Sequence, residues 1–312
     1  MFRTKIFVCE VIALILTVIG CEKENSLHPS NDTFLGQIAP GTTAIRFADH
    51  IITDHFYPHS KLILSPEGDK IYWTTFLDTI GSEKALYYSD FDGENLSAPM
   101  EDTALDEYGI LSFVFSGDQN NIMFGSLQPY DQMADRPVRA VWTSAKSESG
   151  WSRPQPIEST LDTNWASLGS VSYNYLGDIY FSGRMQGETA KIYCSQYVNG
   201  QYLKFEPLPE IINTGITLDP FIDFQDQFLI FAAANRTDNT GIIDLYISLK
   251  NENGNWSQPS HLGQEICTQF IDRFPMVTRD AKYLFFVTSH ANHFPSARTH
   301  FYWVDAGFIE DL

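Results

Sequence analysis

Apolar residues cluster in pairs of short runs along this chain, and a polar turn separates the two runs of each pair. The pair recurs five times, over residues 60–75, 111–126, 169–183, 219–233 and 273–288. A third apolar run follows each pair, over residues 86–89, 140–143, 192–195, 245–248 and 301–304. Short runs rich in Ile, Val, Tyr and Phe are typical of β-strands. Their recurrence predicts a propeller or an array, because one unit alone cannot bury both faces of its sheet.

The spacing of the turns leaves room for a fourth strand in each repeat. The turn aspartates lie 48 to 60 residues apart, at Asp69, Asp118, Asp178, Asp226 and Asp280. A proline-containing run follows the third strand in four repeats, over residues 96–99, 151–154, 205–207 and 256–259. Proline has no N–H to donate, so we expect this run at the outer edge of each sheet. Four strands per repeat are the pattern of a propeller blade.

The fifth repeat lacks a proline-containing run, whereas an unpaired β-like segment, residues 44–48, precedes the first repeat. We expect this segment to form the outer strand of the last blade and to close the ring, which removes the free sheet edges. The sequence therefore predicts an all-β fold, a single β-propeller of five four-stranded blades over residues 44–312. Six blades are the alternative, with the extra blade in the longest interval between turns.

Residues 1–20 have the features of a secretory signal. Two positive charges precede an apolar run over residues 11–19, which is too short to span a bilayer as a helix. The run ends in Val-Ile-Gly-Cys, which resembles the bacterial lipobox and implies that Cys21 is lipidated. Residues 21–43 are mostly polar and are expected to form a flexible tether. We expect a cell-envelope lipoprotein that is held at the outer membrane through lipid on Cys21 and faces the periplasm or the outside.

Charge and cysteine content narrow the range of partners and cofactors. The formal net charge is −19 and no basic stripe is present, so nucleic acid is excluded as a partner. Cys194 and Cys267 fall in different repeats and are expected to be unpaired core residues. The cysteine spacing predicts no metal site, and no cofactor motif is present.

Several phrases of the sequence resemble the TolB-type propeller repeat, as found in single-domain lipoproteins of the Bacteroidetes. They include SPEGDKIYW from residue 65, WSQPSHLGQEI from residue 256 and the ending HFYWVDAGFIEDL from residue 300. The resemblance covers nearly the whole chain after the signal and implies a propeller fold. It implies little about function, because such repeats serve as scaffolds in unrelated roles.

Candidate binding residues lie where the chain enters the first strand of each blade, on the face that also carries the loops between second and third strands. We call this face the loop face. The entering residues are acidic in four of five repeats, and they are Asp54, Glu107, Asn164, Asp219 and Asp272. Arg184 and Arg236 follow second strands in repeats three and four. Variable loops on a rigid ring commonly carry binding, so the acidic residues and both arginines are candidates to bind an unknown protein, peptide or glycan.

The same residues also have a structural interpretation. A carboxylate before a strand commonly accepts backbone N–H bonds in the turn, and this is the favoured role of the acidic residues. Six histidines near the last blade could surround one metal ion, although solvated loop histidines are the favoured interpretation. They are His50, His55, His59, His290, His293 and His300.

No nucleophile elbow, phosphate loop, dinucleotide fingerprint or zinc-protease motif is present in the sequence. The leading hypothesis is therefore a lipid-anchored, non-catalytic propeller that binds its ligand through the loop face. A glycoside hydrolase is the alternative, because that chemistry needs only two or three carboxylates at the channel mouth. Glu107, Asp219 and Asp272 are the candidates for that role.

Overall fold

The computed structural model describes residues 33–52, 57–76, 84–104, 112–117, 119–126, 139–147, 150–162, 164–292, 299–310 and 312. Five four-stranded antiparallel blades form a ring, so the protein is a five-bladed β-propeller. The predicted fold class and blade number are confirmed, and the six-bladed alternative is wrong. Cys21, Asp54 and Glu107 lie outside the described residues.

The strands follow the predicted runs in chain order. Three short strands precede the blades: β1 (Thr33–Phe34), β2 (Gln37–Ile38) and β3 (Ile45–Arg46). Blade 1 contains β4 (Tyr57–Pro58), β5 (Ile63–Leu64), β6 (Lys70–Phe76), β7 (Lys84–Asp90) and β8 (Met100–Glu101). Blade 2 contains β9 (Phe113–Phe115), β10 (Asn121–Ser126), β11 (Ala140–Ser147), β12 (Gly150–Trp151) and β13 (Gln155–Pro156). In blade 1, β4 and β5 both pair with β6, so they form one interrupted inner strand. In blade 2, β12 and β13 both pair with β11, so they form one interrupted outer strand.

The remaining blades are more regular. Blade 3 contains β14 (Trp165–Tyr173), β15 (Ile179–Met185), β16 (Lys191–Ser195) and β19 (Glu206–Pro207), with a small hairpin of β17 (Tyr197–Val198) and β18 (Gln201–Tyr202). Blade 4 contains β20 (Ile216–Ile222), β21 (Phe228–Ala234), β22 (Asp244–Leu249) and β23 (Ser260–His261). Blade 5 contains β24 (Ile271–Val277), β25 (Tyr283–Ser289) and β26 (Thr299–Asp305), and its fourth strand is β3. Two 3-10 helices, Glu158–Thr160 and Gly307–Ile309, complete the described elements.

The N-terminal strand closes the ring as predicted. β3 pairs with β26 through Arg46 opposite Tyr302 and Ile45 opposite Trp303. The Phe47 N–H continues the ladder by donating to the Phe301 carbonyl. The Phe47 ring is buried edge-on against Phe285 and Trp303. The N-terminal strand β3 and the C-terminal strands of blade 5 therefore share one sheet and one core cluster.

The prolines of the outer runs have a slightly different role from the one predicted. In blades 1 and 4 the fourth strand begins just after the proline, at Met100 and Ser260. In blade 3, Pro207 lies within the edge strand. Proline thus limits the fourth strand to two paired residues in these blades, because its missing N–H does not extend the ladder.

The folded domain begins earlier than the predicted boundary at residue 44. The compact unit extends from residue 31, and β1 pairs with β2 in a tight hairpin. Leu35 in its turn is buried, and the Phe34 ring packs 5.0 Å from the Tyr283 ring. Residues 33–43 therefore pack as part of the propeller domain.

Inner strands β14, β20 and β24 each contain a β-bulge. In β20 the bulge holds Asp219 and Pro220, and in β24 it holds Phe274 and Pro275. Asp219 and Phe274 both have positive φ, 50° and 57°. Asp219 is thus equivalent to Phe274 and not to Asp272, so the predicted alignment of the two aspartates is wrong by two positions. A bulge accepts proline without loss of a ladder bond and redirects the neighbouring side chains.

Candidate binding site

A cavity of about 790 Å³ occupies one end of the central channel. It lies on the face formed by the turns between first and second strands, which we call the turn face. All five blades contribute to its wall with the ends of their inner strands, represented by Leu64, Phe115, Tyr173, Phe221 and Met276. Its size is in the range of small-molecule sites, which are usually concave and mostly apolar with a few polar groups.

The mouth of the cavity is formed by turns and by the N-terminal hairpin. Phe34 and Gly36 of the hairpin line it beside Glu94. The guanidinium of Arg279, in the turn of blade 5, lies 5.6 Å from the centre of the Phe224 ring in the turn of blade 4, a cation–π distance. The mouth therefore combines aromatic surface with charges of both signs.

Lys61 is the one lysine among the described residues that line this cavity. Its side chain is buried, with a residue exposure of 1%. The Nζ group donates to the carbonyl of Val171 in blade 3 and to the carbonyl of Pro220 in blade 4. Burial lowers the pKa of Lys61 from 10.5 to about 7, and the negative charge of Asp219 opposes the shift. Lys61 therefore extends from blade 1 to blades 3 and 4. Burial makes its charged form energetically unfavourable.

Asp219 forms an ion pair with Arg273 of the neighbouring inner strand. Arg273 Nε lies 2.7 Å from Asp219 Oδ2, and its second guanidinium contact to Oδ1 is 3.2 Å long. Asp219 is buried, and Arg273 also lies 4.4 Å from the centre of the Phe274 ring. Such a two-point contact holds the bulges of β20 and β24 together. Asp219 is therefore engaged inside the protein.

Asp272 is also buried and engaged in local hydrogen bonds. It accepts from the Thr268 N–H at 2.7 Å and from the Thr288 hydroxyl at 2.7 Å. Burial raises the pKa of Asp272 to about 6, and the bonds from the two threonines oppose this shift. The contact to Thr268 is the turn-stabilising role that the sequence favoured for such carboxylates.

The two candidate arginines differ in their surroundings. Arg236 donates to the carbonyls of Ile211 and Ile212 and lies 5.0 Å from the centre of the Tyr246 ring. It is therefore a structural residue of blade 4. Arg184 is exposed at the end of β15. Asn164 donates its N–H to Asp162 in a local turn.

The histidines do not converge on one point in the described part of the chain. His59 is half-buried, with its ring 4.2 Å from that of Phe76. His290 Nε2 lies 2.8 Å from the Tyr302 hydroxyl, and His300 is a buried residue of β26. His55 and His293 lie outside the described residues.

A different group, Asp244, His261 and Cys267, does bring ligand atoms within 4.8 Å of one another. Gly263 donates its N–H to His261 Nδ1, so the proton of the neutral ring is on Nε2, which lies 3.1 Å from Asp244. Asp244 also accepts from the backbone of Thr240 and Gly241. The Cys267 sulfur accepts from the Leu245 N–H, and burial raises the pKa of its thiol. These contacts give the group a structural role at the junction of blades 4 and 5.

Sequence reasoning did not identify Lys61 or the turn-face cavity. One signal was present in the sequence, a lysine that begins the apolar run Lys61-Leu62-Ile63-Leu64. Lysine is almost never fully buried, so a lysine next to a core strand is unusual. The loop face includes residues 77–83, 127–138 and 293–298, which lie outside the described residues. A ligand site on that face stays a prediction.

No family model and no curated protein sequence matches this chain. Among solved structures, it is similar to a glycoside hydrolase, with a TM-score of 0.54, 10% identity and coverage of 85% of this chain and 90% of that chain. It is also similar to a GH43 β-xylosidase/α-arabinofuranosidase from a compost microbial metagenome, with a TM-score of 0.50, 8% identity and coverage of 85% and 94%. TolB from Acinetobacter baumannii matches with a TM-score of 0.45 and 13% identity over 79% of this chain and 56% of that chain. Identities this low concern the fold and not the activity.

Within the described residues, no helix is both long enough and apolar enough to cross a membrane.

Proposed function

We propose that the protein is a lipid-anchored, non-catalytic propeller that binds its ligand in the turn-face cavity. The observation that carries this proposal is the cavity itself, which is large, mostly apolar and lined by all five blades. A rigid closed ring holds its walls, so little side-chain ordering is needed when a ligand binds. The described loop-face candidates Asp219, Asp272 and Arg236 are instead occupied by internal bonds.

Glycoside hydrolysis is a weaker proposal. It requires one carboxylate to act as an acid and a second as a nucleophile or base, both in contact with the sugar. Asp219 is buried in an ion pair with Arg273, and Asp272 is buried among threonines. Glu107 lies outside the described residues. The similarity to glycosidase structures is a similarity of fold and adds no support for the chemistry.

The predicted anchor fits a turn face that is directed towards a membrane. Thr33, the first described residue, lines the cavity, and the stretch from residue 22 to 32 would connect it to Cys21. Blade 3 exposes four large apolar side chains on the same face, Tyr175, Leu176, Tyr197 and Val198. Exposed apolar groups of this kind often mark an interaction surface. The proposed location is the cell envelope, at the outer membrane.

Replacing Cys21 with serine should release the protein from the membrane fraction and abolish incorporation of labelled palmitate. A serine hydroxyl does not replace the thiol in the lipid linkage, and the remaining tether has no apolar anchor. The matched control is Cys267→Ser, which should still label. Labelling of the Cys21→Ser protein would contradict the anchor.

The neutral dye N-phenyl-1-naphthylamine should bind to the cavity and gain fluorescence. Phe224→Ala should weaken this binding about tenfold, because the half-buried Phe224 ring is part of the mouth. The control is Tyr197→Ala, which removes an exposed aromatic ring of the same face outside the cavity wall. Equal effects of the two substitutions, or none from either, would contradict binding in the cavity.

The second arm of this test is a hydrolysis assay on a panel of aryl glycosides and peptides. No turnover is expected from the purified protein. Turnover of an aryl glycoside that is lost in Asp219→Asn or Glu107→Gln, with the fold intact by circular dichroism, would overturn the non-catalytic proposal and establish the glycosidase. Turnover of a peptide would overturn both proposals.

A further inference from the structure

We propose that the turn-face cavity selects a long-chain carboxylate, whose carboxylate group pairs with Lys61 while its apolar chain lies along the aromatic walls. This inference rests on the proposed function and adds the chemical class of the ligand. Two features carry it: the place of Lys61 at the inner end of the cavity and the charges around it.

Lys61 marks the inner end of the cavity. Its Nζ donates to the carbonyls of Val171 and Pro220, and the residue that follows each of them, Ser172 and Phe221, is part of the cavity wall. An ammonium has three donors, so two are used and one is left for an anion. A carboxylate at the level of Ser172 would reach that donor.

The charges around Lys61 leave it without a counter-ion of its own. In the described part of the chain, no carboxylate lies within ion-pair distance of its Nζ. The Asp219 carboxylate is held by Arg273 on the neighbouring strand. A buried charge is stable when it is paired. A ligand carboxylate would supply this missing charge, whereas an alcohol or an amine of the same length would not.

The remainder of the cavity suits an unbranched apolar chain. From Lys61 outward, the wall presents Phe115, Tyr173 and Phe221 from three different blades. Phe34 of the hairpin and Phe224 lie at the mouth. Burial of methylene groups against these rings favours binding in proportion to chain length. A neutral sugar would not supply the negative charge that Lys61 lacks.

A purely structural role for Lys61 is the alternative, since its two bonds connect three blades. That role predicts a change in stability when Lys61 is replaced, and it predicts no preference among ligand head groups. Head-group preference therefore separates the two interpretations.

The test measures displacement of bound N-phenyl-1-naphthylamine by laurate, by dodecanol and by dodecylamine below their aggregation concentrations at pH 6.5. In the wild-type protein, laurate should displace the dye at a concentration about tenfold or more below that of dodecanol, because a charge-assisted bond forms only with the carboxylate. Dodecylamine should be the weakest. Lys61→Met should remove the preference for laurate, which is measured within each protein as the ratio of the dodecanol and laurate concentrations that displace half of the dye.

The matched control is Lys70→Met, which removes a lysine of the same blade that is paired with Asp90 outside the cavity. It should keep the preference for laurate. Equal displacement by laurate and dodecanol in the wild type, or a preference that survives in Lys61→Met, would overturn the inference while dye binding still supports the cavity. Loss of dye binding from the wild type would instead contradict the proposed function. Displacement by an apolar peptide acid, with none by laurate, would also overturn the inference.

A second measurement needs no variant. Laurate binding should take up protons at pH 7.5, because the ligand stabilises the charged form of Lys61, whose pKa burial lowers to about 7. Calorimetry in buffers of different ionisation enthalpy reports this uptake. Among the described residues, the charged and titratable groups near Lys61 or at the cavity include Asp219, Arg273, Asp223, Glu94, Tyr173 and Arg279, and His59 lies two positions before Lys61. Dodecanol is the reference for their contribution, and equal proton uptake with both ligands would overturn the role of Lys61.

Discussion

Phe47→Ala should lower the free energy of unfolding by about 3–5 kcal/mol, the usual cost of removing a buried phenylalanine ring. Phe47 has a residue exposure of 2% and packs edge-on, with its ring centre 5.0 Å from that of Phe285 and 5.4 Å from that of Trp303. It follows the closing strand β3, so it joins the two parts of the chain that complete blade 5. The substitution would leave a cavity in the seam of the propeller, by which we mean the contact of β3 and Phe47 with the other strands of blade 5.

Ile45→Ala is the matched control for this prediction. Ile45 lies in the same strand opposite Trp303, but it is 45% exposed. Its truncation should cost about 1 kcal/mol or less. Urea unfolding of the three proteins measures both effects. Similar losses from the two substitutions would mean that the seam is not held by the Phe47 ring.

Loss of the Phe47 ring should also promote self-association, because a loosened β3 exposes the edge of β26. Size-exclusion chromatography at increasing protein concentration would show this as a shift to larger species. The control is deletion of residues 22–30, in the stretch before the folded domain, which should leave both the melting temperature and the elution volume unchanged. A large effect of that deletion would contradict closure of the ring by β3.

The stability of the wild-type protein should rise relative to that of Lys61→Met as the pH increases from about 7 towards 10. Burial lowers the pKa of Lys61 from 10.5 to about 7, so between these values the unfolded chain binds a proton that the folded protein does not. The free energy of unfolding then increases with pH, by about 1.4 kcal/mol for each pH unit. Below about pH 7 both states are protonated, and this contribution is lost.

Lys61→Met removes the titrating group and keeps an apolar side chain of similar length. Unfolding in urea at several pH values between 6 and 10 measures the difference between the two proteins, in which the other titrating groups cancel. Lys70→Met is again the control, because Lys70 is half-exposed beside Asp90 and should give a profile parallel to that of the wild type. Parallel profiles for the wild type and Lys61→Met would show that Lys61 is not desolvated in the folded state.

Phe47 and Lys61 have opposite effects on the stability of the propeller. The Phe47 side chain stabilises the contact between β3 and blade 5, whereas Lys61 places an energetically costly charge inside the channel. A protein retains such a charge most readily where a ligand uses it, because an apolar residue at the same place would be as stable or more so. If the wild type is the less stable protein at pH 6 and the better binder of laurate, the cost and the use of Lys61 will both have been measured.

The sequence by itself determined the repeat, the number of blades and the way the ring closes. Each blade arises from strands and turns that are neighbours in the chain, so the pattern of apolar runs was sufficient to locate them. Residues 44–48 were identified because a four-stranded repeat needed one more strand, and β3 pairs with β26 as expected. The inner bulges were not foreseen, since the sequence does not mark which residue lacks a partner on the adjacent strand. The alignment of Asp219 with Asp272 was therefore wrong.

Only the tertiary structure decided the place and chemistry of the candidate site. Lys61 binds carbonyls that lie 110 and 159 positions further along the chain, and Asp219 pairs with Arg273 at a separation of 54. These contacts exist because the ring brings the inner strands of different blades around one axis. Strand periodicity records which side of a strand faces the core, but it carries no information about which distant strand stands opposite. The burial of one lysine beside a large cavity follows from that arrangement, and its pKa and its proposed ligand follow from the burial.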